Sequence, residues 1–459
     1  MQKNMTKDMI VVGFALFAIF FGAGNLIFPP YLGVVSGDGW VQSTIGFLIT
    51  DPVFPLIGMI ATAMVGGMAD DLGKRVSPVF SKFLGIVSIL TIGPFFAVPR
   101  TAATTHEVFT VQVFGNGAID SVAPWITSLI FFAASFFFVI NPTKVIDYIG
   151  KILTPLLLII LIGTIIVAIF NPAGEALALH QEGLFKTGFY EGYQTMDALG
   201  AALMSGIALT DLINKGYTDR KDQFKAIVGA SLIAAVLLFV VYGGLLYVGS
   251  TVSGQFQAEA AAGNRTAILV GMFVAMFGAA GKWAIGIAVT LACLTTSVGL
   301  TGMAGNFISR VLGKSGDLKT YKIIVSVSIV ISFFLSVFGV TKLINFAVPI
   351  LAAIYPIYMI LFVVTLFDSK IKYNWTYTGA VIMAAVISIP TGIITFCAIN
   401  GVAFDPATGF TGVVGTMNDL LNKIPLADLG LNWIVPGICG LIVGMVLQAV
   451  TGKGKTREN

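Results

Sequence analysis

The stretch Phe20-Phe-Gly-Ala-Gly-Asn-Leu-Ile-Phe-Pro-Pro30 decides the fold prediction, because it interrupts the first long apolar segment of the chain. Glycine costs roughly 1 kcal/mol and proline roughly 3 kcal/mol in a helix interior, and two of each fall here beside an asparagine. Inside a membrane, broken backbone is tolerated only where it is buried in protein or lines a cavity. We therefore predict a binding site at this stretch. A kink that serves only helix packing is the alternative.

The composition is that of a polytopic membrane protein. Of 459 residues, 57% are hydrophobic and 10% are charged, and the mean hydropathy is +0.94. The three cysteines, Cys293, Cys397 and Cys439, all lie in apolar segments, which predicts neither a disulfide nor a metal site. The N-terminal apolar run ends in Phe-Pro-Pro instead of a small-residue cleavage site, so we expect it to be retained as the first span.

Twelve apolar runs are long enough to span a membrane, which takes about 20 residues. A further apolar segment, 267–280, is shorter and is predicted to be a re-entrant or surface helix on the outside. The twelve predicted spans are 9–35, 40–67, 83–105, 122–140, 148–170, 190–213, 224–250, 282–308, 320–339, 343–367, 375–398 and 431–450.

The basic residues test this count, because the cytoplasmic loops of membrane proteins are enriched in lysine and arginine. With twelve spans, 20 of the 26 basic residues fall on one side of the membrane. Five fall on the other side, and Arg100 lies within the third span. Both termini are therefore predicted to be cytoplasmic. Since no long polar insert interrupts the pattern, residues 1–459 are predicted to form one membrane domain with a basic cytoplasmic tail at 451–459.

A second interruption lies in the sixth span. There the polar residues Gln194, Thr195 and Asp197 occupy membrane depth, with glycines on both sides. Five spans separate the two interruptions, so the two broken helices run in opposite directions. This relation is typical of carriers built from inverted repeats. We predict a first five-helix repeat over 9–170, a second, inverted repeat over 190–367, and two extra helices over 375–450.

The ends of broken helices can hold a zwitterion, because a helix N-terminus presents free N–H groups and a C-terminus presents carbonyls. We expect the second half of the first helix to begin after Asn25, with Pro29 and Pro30 in its first turn. Phe95 and Phe96 are expected to wall an apolar pocket, although ordinary core packing is the alternative for each. The predicted substrate-binding residues are Gly22, Ala23, Gly24, Asn25, Tyr193, Thr195, Asp197, Phe95 and Phe96.

Three ionisable residues lie within the predicted spans, namely Asp51, Arg100 and Asp197. Such residues usually pair or line a water path. For Asp51 and Arg100 a structural ion pair and a transport role remain open. Asp197 is either a substrate-binding group or a neutral carboxylic acid that is hydrogen-bonded between helices.

Four motifs together resemble the bacterial branched-chain amino acid:cation symporter family over essentially the whole chain. That family is in turn similar to the sodium-coupled carriers with the LeuT-type fold, in which the first-helix break also reads Gly-x-Gly-Asn before Phe-Pro. In this chain Phe28-Pro29 lies one residue closer to the break. The four motifs are Phe21-Gly-Ala-Gly-Asn-Leu-Ile-Phe-Pro-Pro30, Gly93-Pro-Phe-Phe-Ala-Val-Pro-Arg-Thr101, Gly192-Tyr-Gln-Thr-Met-Asp-Ala-Leu199 and Leu291-Ala-Cys-Leu-Thr-Thr-Ser297.

The resemblance implies an all-α transporter of twelve helices with a five-plus-five inverted repeat, importing leucine, isoleucine and valine with sodium. It implies no covalent cofactor, and it places the protein in the cytoplasmic membrane of a bacterium. A second sodium ion is expected beside Asn25. The sodium ligands that it implies are the carbonyls of Ala18 and Phe21 with Ala292, Thr295 and Thr296.

Other functions stay open or are disfavoured by the residues. The alternative for Thr295 and Thr296 is that their hydroxyls bond only to their own helix, as threonine hydroxyls often do. The alternative to sodium coupling is a carrier in which Asp197 carries a proton, and its substrate would be the same or another neutral amino acid. A channel would have a continuous polar stripe, and a membrane enzyme would have clustered His, Asp or Glu at one depth. The sequence has neither, and it predicts neither a nucleic-acid partner nor an obligatory protein partner.

Overall fold

The computed structural model describes residues 4–115, 123–140, 154–402 and 409–452. Within these ranges the protein is all-α. The predicted fifth span begins outside the described ranges, and the basic tail lies outside them from residue 453. The α-helices are α1 (Met5–Phe20), α2 (Ala23–Ser36), α3 (Trp40–Leu48), α4 (Phe54–Val65), α5 (Pro78–Leu90), α6 (Ala97–Thr105), α7 (Val111–Phe114), α8 (Ala123–Val139), α9 (Thr154–Phe170), α10 (Leu184–Tyr193), α11 (Asp197–Asn214), α12 (Arg220–Thr251), α13 (Gln257–Ala261), α14 (Arg265–Val311), α15 (Leu318–Ser336), α16 (Val340–Leu366), α17 (Trp375–Ile399), α18 (Gly409–Asn422) and α19 (Ile434–Thr451).

Short turns of other helix types join or cap these helices. The π turns connect neighbouring α-helices without a loop, so that α3 continues into α4 and α5 into α6. The 3₁₀ turns are Gly37–Gly39, Asp368–Lys370 and Ala427–Leu429, and the π turns are Ile49–Val53, Thr91–Phe95 and His106–Thr110.

The membrane-spanning character of the chain is confirmed. Among the described residues, eight helical stretches are long and apolar enough to cross a membrane, or nine when the bent pair α10 and α11 is taken as one span. Helices α8 and α9 are apolar but shorter. Each of the twelve predicted spans overlaps a described helix; the count of twelve and the inverted repeat stay predictions.

The first helix is broken, but the break lies earlier than predicted. Helix α1 ends at Phe20 and α2 begins at Ala23, not after Asn25. The Asn25 side chain explains the difference, because its Oδ1 accepts the N–H of Gly22 at 3.3 Å and so caps the new helix from inside its first turn. Pro29 and Pro30 consequently lie in the interior of α2, where their missing N–H groups leave two carbonyls without helical donors.

The sixth helix is broken where the sequence predicts. Helix α10 ends at Tyr193, α11 begins at Asp197, and the two are bent by 44°. Met196 lies between them with a φ of 67°, in the left-handed region that a side chain seldom adopts. Asp197 therefore stands at a helix N-terminus, where a carboxylate is favoured.

Two additional breaks were not predicted. Asp51 has φ −148° and ψ 114°, and Gly93 has φ −88° and ψ −115°, each inside an otherwise helical span. Both residues precede a proline, which disfavours helical backbone at the preceding position. The dipeptides Asp51-Pro52 and Gly93-Pro94 were the sequence signal for these breaks.

The predicted short helix at 267–280 is the first part of α14. Non-helical backbone at Gly278, with a φ of 59°, divides α14 into two parts. A Cβ at Gly281 would lie 2.2 Å from the carbonyl oxygen of Phe273, so the two parts meet closely at the bend. The segment is thus joined directly to the eighth predicted span instead of standing as an isolated helix.

Small residues hold the broken first helix against α12. A Cβ at Gly33 would lie 2.1 Å from the carbonyl oxygen of Leu246, and one at Gly249 would lie 2.3 Å from that of Pro30. Such close backbone approach is how helices associate within membranes, where burial of apolar side chains provides little driving force. The contact fixes α2 and, with it, the position of the break.

Candidate functional site

The side chain of Asn25 is the centre of a buried polar cluster. Its Nδ2 lies 2.9 Å from Oδ2 of Asp197 and 3.4 Å from Oδ2 of Asp51, and it also donates to the hydroxyl of Tyr242. All four residues are buried. The cluster joins both broken helices to the break in the second span and to α12. Sequence reasoning missed Tyr242, because nothing distinguishes it within its apolar span.

The two carboxyl groups of this cluster form a neighbouring pair. Oδ2 of Asp51 and Oδ2 of Asp197 both lie within 3.4 Å of the same Asn25 Nδ2, and among the described residues neither carboxyl has an ion-pair partner within 4 Å. Two adjacent buried carboxylates repel each other when both are ionised. The site therefore disfavours a state in which both carboxyl groups are charged.

A cavity lies beside the cluster, where both helix breaks meet the third span and α14. Its polar residues are Asn25, Arg100, Thr101, Thr195, Asp197 and Thr296, and the remainder of its wall is apolar or glycine. The other lining residues are Ile19, Phe20, Gly22, Ala23, Gly24, Ile92, Ala97, Met196, Gly200, Met204 and Leu300.

Six of the nine predicted substrate-binding residues line this cavity, namely Gly22, Ala23, Gly24, Asn25, Thr195 and Asp197.

The structure does not bring the other three predicted residues to the cavity. Phe95 is 39% exposed, because the break at Gly93 rotates the third span so that Ile92, Ala97 and Arg100 face the cavity instead. Phe96 likewise is absent from the lining. Tyr193 stacks on Tyr355, with 4.3 Å between ring centroids, and is part of the core beside the site.

Arg100 is a buried cation at the wall of the cavity. Only 3% of it is exposed, and its Nη1 donates to the carbonyl oxygen of Gln194 at 2.8 Å. The guanidinium carbon lies 5.1 Å from the centroid of the Phe28 ring. The ion pair between Arg100 and Asp51 that the sequence left open is not formed, because Asp51 lies against the Asn25 amide beside Asp197 instead.

A second, mostly apolar cavity lies between α1, α9 and α14. Four of the five residues that the resemblance assigned to sodium line it, namely Ala18, Phe21, Ala292 and Thr295. The hydroxyl of Thr295 donates to the carbonyl of Ala292 at 2.8 Å. Since the N–H of Gly22 points to Asn25, it is withdrawn from the carbonyl of Ala18, its partner in a continuous helix.

The fifth residue, Thr296, faces the cavity beside Asn25 instead. Its hydroxyl is buried without a hydrogen-bond partner, and a Cβ at Gly22 would lie 3.0 Å from it. Gly22 is therefore the point at which the two cavities approach each other across the first-helix break.

Two ion pairs join α14 to neighbouring parts of the chain. Arg265 pairs with Glu191 of α10 at 2.7 Å and lies over the ring of Tyr31, 4.0 Å from its centroid. Near the other end of α14, Arg310 pairs with Asp70 at 2.5 Å.

The comparisons with known proteins agree with one another. The model of the family described as branched-chain amino acid transport protein matches residues 5–451. The branched-chain amino acid permease BraB of Bacillus subtilis is 36% identical over 98% of this chain and 97% of its own length. The branched-chain amino acid transport system 2 carrier protein of Pseudomonas aeruginosa is 33% identical over 97% of both chains.

A solved structure shares the fold. The chain of a Na⁺-coupled sialic acid symporter, in a substrate-bound outward-open state, matches with a TM-score of 0.60 and 13% identity over 98% of this chain and 91% of that one. This likeness is in fold alone and is consistent with the predicted LeuT-type architecture. With bacterial relatives and many spanning helices, the protein is placed in the plasma membrane. The chain belongs to the branched-chain amino acid transport protein family and is a membrane transporter, not an enzyme.

Proposed function

We propose that the protein is a secondary active symporter that imports leucine, isoleucine and valine together with sodium by alternating access. The observation that carries the proposal is the cavity between the two helix breaks, in which a helix N-terminus and the buried carboxyl group of Asp197 face an apolar wall. A branched-chain amino acid has the matching features, namely an α-carboxylate, an α-ammonium group and an aliphatic side chain.

The substrate ammonium group is assigned to Asp197. This carboxyl lies at the end of a broken helix and already accepts a hydrogen bond from Asn25. The aliphatic side chain is assigned to the wall formed by Ile92, Met204 and Leu300. The α-carboxylate is assigned to the first turn of α2, where N–H groups lack helical partners.

The sodium ion is assigned to the cavity between α1 and α14. Carbonyls at the end of a broken helix are typical ligands of coupling ions in carriers, and the freed carbonyl of Ala18 lies here with Phe21, Ala292 and Thr295. Thr296 completes the set from the side of the substrate cavity. A bound cation would link α1 to α14 and so favour one arrangement of the carrier.

The sodium assignment predicts the phenotype of a double variant. Thr295→Ala with Thr296→Ala is expected to raise the sodium concentration for half-maximal leucine uptake by about 10-fold, because two hydroxyl ligands are lost at ~1 kcal/mol or less each. Uptake at saturating sodium should be largely kept. Thr210→Ala, which removes a hydroxyl bonded to its own helix outside both cavities, is the control. An unchanged sodium curve in an active double variant would place the ion elsewhere.

A single sodium ion supplies enough driving force for import. One cation moving inward down ~100 mV contributes ~2.3 kcal/mol, and a tenfold gradient contributes ~1.4 kcal/mol. Together they support a substrate ratio of a few hundredfold at about ten per 1.4 kcal/mol. In this proposal the protein has twelve spans, with both termini in the cytoplasm. During the transport cycle the two broken helices move against the third and eighth spans.

A proton-coupled carrier is the second candidate. The observation that favours it is the Asp51–Asp197 pair, two buried carboxyl groups that contact the same Asn25 amide beside the substrate cavity. Binding and release of a proton by this pair during transport would link uptake to pH in place of sodium.

The test is uptake of radiolabelled leucine into proteoliposomes that contain the purified protein. An imposed sodium gradient at equal pH is expected to drive accumulation, and unlabelled isoleucine and valine should compete. An imposed pH gradient without sodium is expected to drive none. Accumulation driven by a pH gradient alone would show that the coupling ion is the proton and not sodium. No uptake under either gradient would overturn the proposed function.

A further inference from the structure

The bonding of Arg100 is incomplete. A guanidinium carries five N–H donors and no acceptor. The Nη1 group reaches the carbonyl of Gln194, whereas Nε is buried without a hydrogen-bond partner. Among the described residues no carboxylate lies within 4 Å of this side chain. A buried charge without a directly bonded counter-charge is costly, and the unpartnered Nε leaves a donor for an acceptor that arrives from outside the chain.

The guanidinium is held in a fixed orientation by its neighbours. Its face lies against the ring of Phe28, an arrangement favoured between arginine and aromatic rings. Its edge lies against the first turn of α2, since a Cβ at Gly24 would be 2.5 Å from Nη2. Stacking of the face leaves the edge available for hydrogen bonds, and that edge meets the N-terminal end of α2 at the cavity wall.

The cavity therefore has a positive end and a negative end. Arg100 and the first turn of α2 provide the positive end, and Asp197, which shares the Asn25 amide with Asp51, provides the negative end. A zwitterion adds no net charge and supplies an opposite partner to each end.

We propose that Arg100 binds the α-carboxylate of the transported amino acid, between its guanidinium edge and the free N–H groups at the start of α2. This assignment rests on the proposed function, and it adds the side chain that makes a free carboxylate a requirement for substrate binding. Arginine matches the planar carboxylate with two parallel hydrogen bonds, which lysine cannot do. Amines that keep the branched side chain but lack the carboxylate should bind poorly.

The test measures the thermal stabilisation of the purified protein by leucine and by leucinol, in which an alcohol replaces the carboxylate. The wild-type protein is expected to bind leucine about 10- to 100-fold more tightly than leucinol. In Arg100→Gln the leucine affinity is expected to fall by that factor, while the leucinol affinity changes less than about threefold. Arg220→Gln, at an exposed position outside the site, is expected to keep the wild-type preference.

The outcomes separate this assignment from the proposed function. An equal loss of leucine and leucinol affinity in Arg100→Gln, or a preference that stays intact, would overturn the carboxylate assignment. If Arg100→Gln is not recovered folded, Arg100→Lys takes its place. In that variant the preference for leucine over leucinol is expected to be reduced while leucinol binding is kept. An unreduced preference in Arg100→Lys would also overturn the assignment. Failure of the wild-type protein to bind any branched-chain amino acid would instead overturn the proposed function.

Discussion

Asp197→Asn is expected to reduce leucine uptake by about 10- to 150-fold, which corresponds to loss of one charged hydrogen bond at ~1.5 to 3 kcal/mol. Asparagine has nearly the same shape as aspartate and can still accept the hydrogen bond that Asn25 donates. The variant therefore removes the ionisable carboxyl group that faces the cavity and leaves the packing in place. Initial uptake rates in proteoliposomes over a leucine concentration series measure the effect.

Two further variants locate the cause of this loss. Asp211→Asn removes a carboxylate of the same helix that pairs with Lys215 at the surface, and it is expected to leave uptake unchanged. Asp51→Asn removes the other carboxyl of the pair and is expected to alter the pH dependence of uptake, since one of two adjacent titratable groups is then lost. Wild-type uptake in Asp197→Asn would mean that this residue is a neutral structural acid and does not hold the ammonium group.

Gly24→Ala is expected to reduce leucine uptake by about 5- to 150-fold, because overpacking costs typically 1 to 3 kcal/mol. Alanine suits the helical backbone of α2, so the effect comes from space alone. The added Cβ would lie 2.5 Å from Nη2 of Arg100 and 2.9 Å from Cε2 of Phe28. Both side chains would have to move, and with them the positive end of the cavity. The measurement is leucine uptake at matched protein content.

Gly163→Ala is the matched control for this variant. It adds the same atom within α9, where nothing lies within 4 Å of the new Cβ, and it is expected to transport like the wild-type protein. Equal uptake by Gly24→Ala and Gly163→Ala would show that the guanidinium can shift without loss of binding, and would contradict the tight fit proposed at the first-helix break.

Much of the architecture was accessible from the sequence because membrane burial imposes long apolar runs. The broken sixth helix was predictable since polar residues and glycines cluster at its middle, and α10 and α11 meet at that point. At the first helix the same reasoning found the break but misplaced the restart. Proline at 29 and 30 is favoured in a first turn, yet the Asn25 side chain starts the helix at Ala23, which no local propensity reveals.

The site was less accessible, because it depends on rotations of helices relative to one another. The sequence marked Asp51, Arg100 and Asp197 as intramembrane charges, but it could not tell which would pair. Asp51 reaches Asp197 because the second span breaks before Pro52 and turns the carboxyl toward Asn25. The same kind of break, before Pro94, turns Phe95 away from the cavity. Tyr242 carries no signal at all within its apolar helix.

One branched-chain amino acid is proposed to lie between the two helix breaks. An experimental structure of the protein with leucine and sodium bound is the decisive measurement. We expect the carboxylate at Arg100 and the start of α2, the ammonium group at Asp197, and the side chain against Ile92, Met204 and Leu300. Leucine bound elsewhere, with Asn25 and Asp197 still bonded only to protein groups, would contradict this proposal.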